Sequence, residues 1–198
     1  MKKWLITCLT CLVCCQINAQ NWDINTVEKI NKWHMHGLSR GLSVSGIALP
    51  VGIPTAMGIY ALIRKDQAML KDAIYIGTSV IEAVGITYGL KYACDRQRPF
   101  VKYPELIHPI DAPDMDSPSF PSGHSAAAFS LATSISIRYP KWYVIAPSAA
   151  WACGVGIARM NQGVHYPSDV LAGAAIGVGC AFVNVYVNRW LNKVLFTN

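Results

Sequence analysis

Five apolar stretches, each of about twenty residues and nearly empty of charge, set the first limit on how this 198-residue chain can fold. Gly41–Ile63, Trp142–Ala158 and Val170–Asn188 contain no Asp, Glu, Lys or Arg; Ala73–Leu90 has one acid, Glu82, and Ser119–Ile137 has only His124. A helix that crosses a ~30 Å hydrocarbon core needs ~20 such residues. Gly and Pro inside the stretches suit membrane helices better than soluble ones. None of the five shows the polar stripe of a helix lying on a soluble protein's surface. The expectation is an all-α transmembrane bundle with about five spans, and a soluble bundle of buried helices is the competing reading. Charged residues make up 14% of the chain and hydrophobic ones 53%, against about a quarter charged in soluble domains. That balance excludes disorder, and the length leaves room for one domain of ordinary size.

The ends of the chain divide differently. Residues 1–19 carry Lys2 and Lys3 ahead of a twelve-residue apolar run, Trp4–Cys15. The run suits a signal peptide cleaved after Ala19; an uncleaved anchor, which would make six spans, is the other reading. Residues 20–40 repeat apolar side chains at Trp22, Ile24, Val27, Ile30 and Trp33. This is an amphipathic helix, either lying at the membrane interface or packed on the rest of the protein. Residues 41–198 form the membrane domain. Four of seven cysteines fall in the first segment; Cys153 and Cys180 read as small packing residues, and no cysteine spacing suggests a metal.

Alternation of five spans places the segments 91–118 and 159–169 on the same, outer side. The formal charge is +6, yet no run of Lys and Arg exceeds two residues. That argues against nucleic acid and for a small anion or a lipid headgroup. Inner segments hold seven Lys/Arg and outer ones eight, so the usual excess of inner positive charge is missing unless some outer bases have a special task.

Three clusters on that outer side offer the task. The first runs Lys91-Tyr92-Ala93-Cys94-Asp95-Arg96-Gln97-Arg98-Pro99; the second is Pro121-Ser122-Gly123-His124; the third spans Arg159 to Asp169. Alone, each reads as a solvated pair of bases or a capping histidine. Together, Lys91, Arg98 and Arg159 supply three cations for a phosphate dianion. Ser122 and Gly123 open a helix whose free N–H groups face an anion. Asp169, four residues after His165, is placed to accept its Nδ1–H and leave Nε2 as a nucleophile. His124 is then the general acid for the leaving oxygen.

The order Lys-x6-Arg-Pro, Pro-Ser-Gly-His, Arg-x5-His-x3-Asp resembles the type 2 phosphatidic acid phosphatase superfamily, which includes bacterial acid phosphatases and vanadium haloperoxidases. One position departs: Ala158 stands where that family usually has Ser. The resemblance implies a metal-independent phosphatase without cofactor, working through a phosphohistidine. In that mechanism His165, Asp169 and His124 are catalytic, and Lys91, Arg98, Ser122, Gly123 and Arg159 hold the phosphoryl oxygens. The expected enzyme sits in a bacterial inner membrane with its site facing the periplasm. It would act on a lipid phosphate or diphosphate, with lipid A or undecaprenyl diphosphate favoured, and needs no obligate protein partner. A soluble periplasmic acid phosphatase and a vanadate-dependent haloperoxidase are the alternatives. The loop Lys102–Pro118, rich in Pro and acid, reads as a stiff connector.

Overall fold

The computed structural model describes residues 21–110 and 116–196. The expected leader at 1–19 lies outside the described residues. Helices make up the structure, with no strand among the described residues. After α1 (21–31) come α2 (His36–Arg64), α3 (Gln67–Cys94), the short α4 (Pro99–Lys102), α5 (Gly123–Arg138), α6 (Trp142–Asn161) and α7 (Pro167–Phe196). Each of the five apolar stretches thus becomes one long helix. Three segments, His36–Arg64, Gln67–Lys102 and Pro167–Arg189, are long and apolar enough to cross a membrane.

The ends of these helices follow from local chemistry. Lys65, in the left-handed region, closes α2 with its N–H on Ala61 and Leu62 carbonyls. Asp66 then caps α3 by accepting from the Ala68 and Met69 N–H groups at 3.0 Å. The expected span at 119–137 starts late, because Ser119–Ser122 is not helical and Ser122 is the N-cap of α5. The 20–40 segment is also not one helix. The chain turns at 32–35, where the Asn161 amide donates to the Ile30 and Trp33 carbonyls (2.7 and 3.1 Å), and residues 36–40 belong to α2. Exposed Val44, Ile47, Val51, Ile59 and Ile63 give α2 the outward apolar face of a helix in lipid.

Helix α5 lies at the centre, packed by α2, α3, α6 and α7. It buries small residues, Ser125 to Ala128, Ser130, Ala132 and Ser134, so neighbouring backbones come close. The closest approach is by α7. A Cβ at Gly173 would collide with the Ser122 carbonyl, and one at Gly177 with the Ala126 carbonyl. Neither obstacle is a side chain that can swing away. Gly177→Ala is therefore expected to lower stability by about 1–3 kcal/mol, read as a fall in the thermal midpoint in detergent. Gly179→Ala, which meets nothing within 4 Å, should leave the midpoint unchanged or slightly raised. Cys180 is buried beside Ala83 and Ala126 as expected. Cys153 is instead exposed, because Ala152, Val155 and Gly156 carry the inward face of α6.

A second, smaller core caps this end of the bundle. Val27 of α1 packs with Phe100, Ile107, Val164 and Tyr166. Gly163 makes the turn below it at φ +73, where a Cβ would also sit 2.6 Å from Ile107. The cap holds α1 against the loops that carry the three clusters.

Candidate active site

The clusters are brought together by the ends of five helices. Lys91 occupies the last turn of α3, Arg98 precedes α4, His124 is the second residue of α5, and Arg159 is in the last turn of α6. His165 follows in the loop between α6 and α7, and Asp169 lies in the first turn of α7. Arg98 is extended, as a residue before Pro must be, and this aims the chain back toward the site. A cavity of about 550 Å³ results. Lys91, Arg98, Gly123, His124, Arg159 and His165 form its polar end; Ile47, Pro50, Val51, Val80 and Val84, from α2 and α3, form an apolar wall.

Two expected residues stand behind the wall. Ser122 is fully buried; its Oγ accepts from the Ser125 hydroxyl (3.0 Å) and its N–H donates to the Asp169 carbonyl (3.0 Å). It shapes the start of α5 rather than facing the cavity: its hydroxyl is used within α5, and its N–H ties α5 to α7. Asp169, 0% exposed, also lies behind His165.

Each cation is held by a specific partner. Lys91 Nζ donates to the Pro118 carbonyl. Arg98 donates to the Ser117 and Val164 carbonyls at 2.9 and 3.0 Å. Arg159 Nη1 reaches Ser43 Oγ of α2 (2.6 Å) and Gln162 Oε1 (2.8 Å), while its buried Nε has no hydrogen-bond partner among the described residues. Ala158, buried beside it, offers no hydroxyl. His165 is 2% exposed. Burial, then the charges of Arg159, Arg98 and Lys91, hold its pKa well below the ordinary imidazole value. It is therefore neutral at pH 7, with a ring nitrogen lone pair available.

The carboxylate behind it is held mainly by groups the sequence did not single out. Asp169 Oδ1 accepts from Arg96 Nη1 at 2.6 Å and Oδ2 from the Tyr166 N–H at 2.9 Å. His165 Nδ1 is 3.5 Å from Oδ2, too far for the short bond expected from their spacing. Arg96 lies over the Tyr166 ring, 3.9 Å from its centre, and its other nitrogen donates to Asp23 Oδ2 at 2.8 Å. Asp23, 3% exposed, also accepts from the Ser168 N–H and hydroxyl. A sequence signal for Asp23 existed: with Val27 and Ile30 it lies on the apolar face of α1, where a carboxylate needs a partner.

Residues 72–193, well over half of the chain, match the model of the PAP2 superfamily. The chain belongs to this superfamily. Lipid A 1-phosphatase of Rhizobium etli is 34% identical over 119 residues, 57% of this chain and 50% of that protein. Undecaprenyl-diphosphatase BcrC of Bacillus subtilis is 28% identical over 155 residues, 75% of this chain and 78% of that protein. The chain thus spans about half the length of the Rhizobium relative. The crystal structure of Aquifex aeolicus LpxE has the same fold, with a TM-score of 0.66 at 24% identity, over 83% of this chain and 94% of that one. The PAP2 segment contains Lys91 to Asp169 and with them every residue of the three clusters. Asp23 and Ser43 lie outside it and reach the site only through the fold.

Proposed function

We propose that this PAP2 protein is a membrane lipid phosphatase whose 41–198 domain spans an inner membrane five times, with the His165 cavity open to the periplasm. The leading support is the shape of that cavity: a tricationic end around a neutral, buried histidine, continuous with an apolar wall between α2 and α3. A headgroup phosphate fits the first and a hydrocarbon tail the second. Pro50, Val51 and Val80 also line the next groove along the same two helices, which prolongs the apolar path.

His165 attacks phosphorus, forming an N–P bond as the P–O bond to the lipid breaks. His124 gives its proton to the leaving oxygen. Water then attacks phosphorus, His124 takes the water proton, the N–P bond breaks and inorganic phosphate leaves. Lys91, Arg98 and Arg159 balance the charge of the transferring group, and the N–H groups at the start of α5 add to them. Asp169 steadies the imidazolium character that His165 gains. No step is assigned to a metal or cofactor. Lipid A and undecaprenyl diphosphate are the favoured substrates, in keeping with the names of the two relatives.

Purified protein should release phosphate from such lipids in EDTA, and a panel of them ranks the substrates. Val51→Trp should raise KM about 5–10-fold for a long-chain lipid phosphate by overfilling the groove, with little change for a short soluble ester. Absence of metal-independent phosphate release from every lipid would refute the reading.

A further inference from the structure

Arg159 is anchored from one side. Among the described residues both of its hydrogen bonds are made by Nη1, to Ser43 Oγ at 2.6 Å and to Gln162 Oε1 at 2.8 Å. That nitrogen carries two N–H groups, so its donors are spent. The Ser43 hydroxyl in turn donates to the same Gln162 Oε1 at 2.9 Å. Three side chains thus close a hydrogen-bonded ring. Ser43 gives its one proton to Gln162 and keeps a lone pair for Arg159, while both lone pairs of Gln162 Oε1 are filled. Ser43 and Gln162 are each 5% exposed, which keeps water from competing for these bonds.

The ring sits on fixed backbone. Gln162 ends α6, with its N–H on the Ala158 carbonyl at 2.9 Å. Ser43 belongs to a buried face of α2 that also holds Ser39 and Gly46. Ser39, one turn earlier, donates its hydroxyl to Asn161 Oδ1 at 2.7 Å. Two successive turns of α2 are therefore tied to two successive residues at the end of α6. Gly46 lets the two helices meet closely, since a Cβ there would sit 2.8 Å from Val155 Cγ1. Helix α2 is thus held in register against the residue that it orients.

The guanidinium keeps its other edge. Nε and Nη2 carry side-by-side N–H donors, the pair that grips two oxygens of a phosphoryl group at once. Nε is buried without a hydrogen-bond partner among the described residues, and Arg159 lines the His165 cavity. A buried donor left unmade is costly, and a phosphoryl oxygen removes that cost. We propose that Ser43 is a positioning residue for phosphoryl transfer: through this ring it fixes Nη1, so that the Nε and Nη2 edge of Arg159 meets the transferring group. This role rests on the phosphatase reading above and assigns part of the chemistry to α2, outside the PAP2 segment. Without the Ser43 hydroxyl, Gln162 alone holds Nη1 and the guanidinium can turn about that bond. The charge then stays while its direction is lost, which harms the transition state more than the bound substrate.

The test uses the full chain in detergent, with a long-chain lipid phosphate for turnover and orthovanadate, a mimic of the phosphoryl transition state, for binding. Ser43→Ala leaves the helix intact, because Ala is the better helix former. It should lower kcat about 10–30-fold, weaken orthovanadate binding about tenfold, and leave KM within about threefold. In an Arg159→Ala protein the same substitution should have no further effect. Ser39→Ala removes an equally buried hydroxyl from the same face of α2 without touching Arg159. It should leave kcat and orthovanadate binding unchanged. No effect of Ser43→Ala overturns the proposal. An equal loss in Ser39→Ala, or full additivity with Arg159→Ala, also overturns it, since Ser43 would then only pack α2 on α6. A wild-type chain that hydrolyses no lipid defeats the phosphatase reading, while orthovanadate binding across the same proteins still decides the role of Ser43. A wild-type chain that binds no orthovanadate overturns that role as well.

Discussion

Replacing His165 with alanine should reduce lipid phosphate release by at least about 10³-fold, with substrate binding largely kept. The size follows from losing a covalent path, since the cations that remain can bind a phosphoryl group but cannot displace its leaving group. Lys91, Arg98 and Arg159 hold their partners without help from the imidazole, so the cradle survives the substitution. The His124→Ala protein should behave differently. General acid help matters less as the leaving group becomes more acidic. Its loss should therefore cost about 10²–10⁴-fold on a lipid substrate and much less on an aryl phosphate. On the aryl ester the first step proceeds while the second lacks its base, so a burst should precede slow turnover. Acid quenching during that burst should trap labelled phosphate on the chain, and His165→Ala should abolish the label. A label that persists in His165→Ala would assign the nucleophile elsewhere. Because burial and three cations keep His165 neutral, its competence as a nucleophile should persist as pH falls through the ordinary imidazole pKa. An activity loss that tracks protonation there would need another group.

What the sequence made legible was whatever repeats or clusters along the chain. Five charge-poor runs became five long helices, three of them in segments long and apolar enough to cross a membrane, where an unbroken hydrogen-bonded segment is required and little else. The three clusters met because each stands at a helix end and alternation puts those ends on one side. The start of α5 was less legible: Ser119 and Phe120 continue the apolar run, and only Pro121 and the Ser122 cap show that the helix begins later. The supporting contacts were not legible at all. Ser43 lies in a charge-free stretch and reaches Arg159 across 116 positions. His34 and His36 lie far from His108 in sequence, yet the three line one cavity, where Asn31 bonds the His108 backbone across 77 positions. Such pairs have no period, so only the packed helices bring them into view.

Arg96 gives the other large expected effect. Asp169 is fully buried, and Arg96 is the cation nearest its carboxylate, at 2.6 Å. Arg96→Gln leaves that carboxylate with only neutral partners, the Tyr166 N–H and the Ser119 side chain among them, and a buried charge without its counterion moves or takes up a proton. Either outcome misplaces His165, and a shift of about 1 Å in a reacting group can cost about 10²-fold in rate. Arg96→Gln should thus lower kcat about 30–100-fold with a small change in KM, since Arg96 does not line the cavity. Arg96→Lys keeps the charge but cannot bridge two carboxylates, so it should fall between. Asp23→Asn should give a loss of about 3–10-fold, because Arg96 keeps Asp169 but loses the anchor on α1 that fixes its direction. The decisive measurement is a double-mutant cycle. If Arg96 acts through Asp169, Arg96→Gln should have little further effect on kcat in an Asp169→Asn protein. Full additivity would mean that Arg96 serves only the folding of the cap, as would a fall in thermal midpoint matching the fall in rate. Non-additive kcat with an intact midpoint would tie the α1 helix, outside the PAP2 segment, to the chemistry at His165.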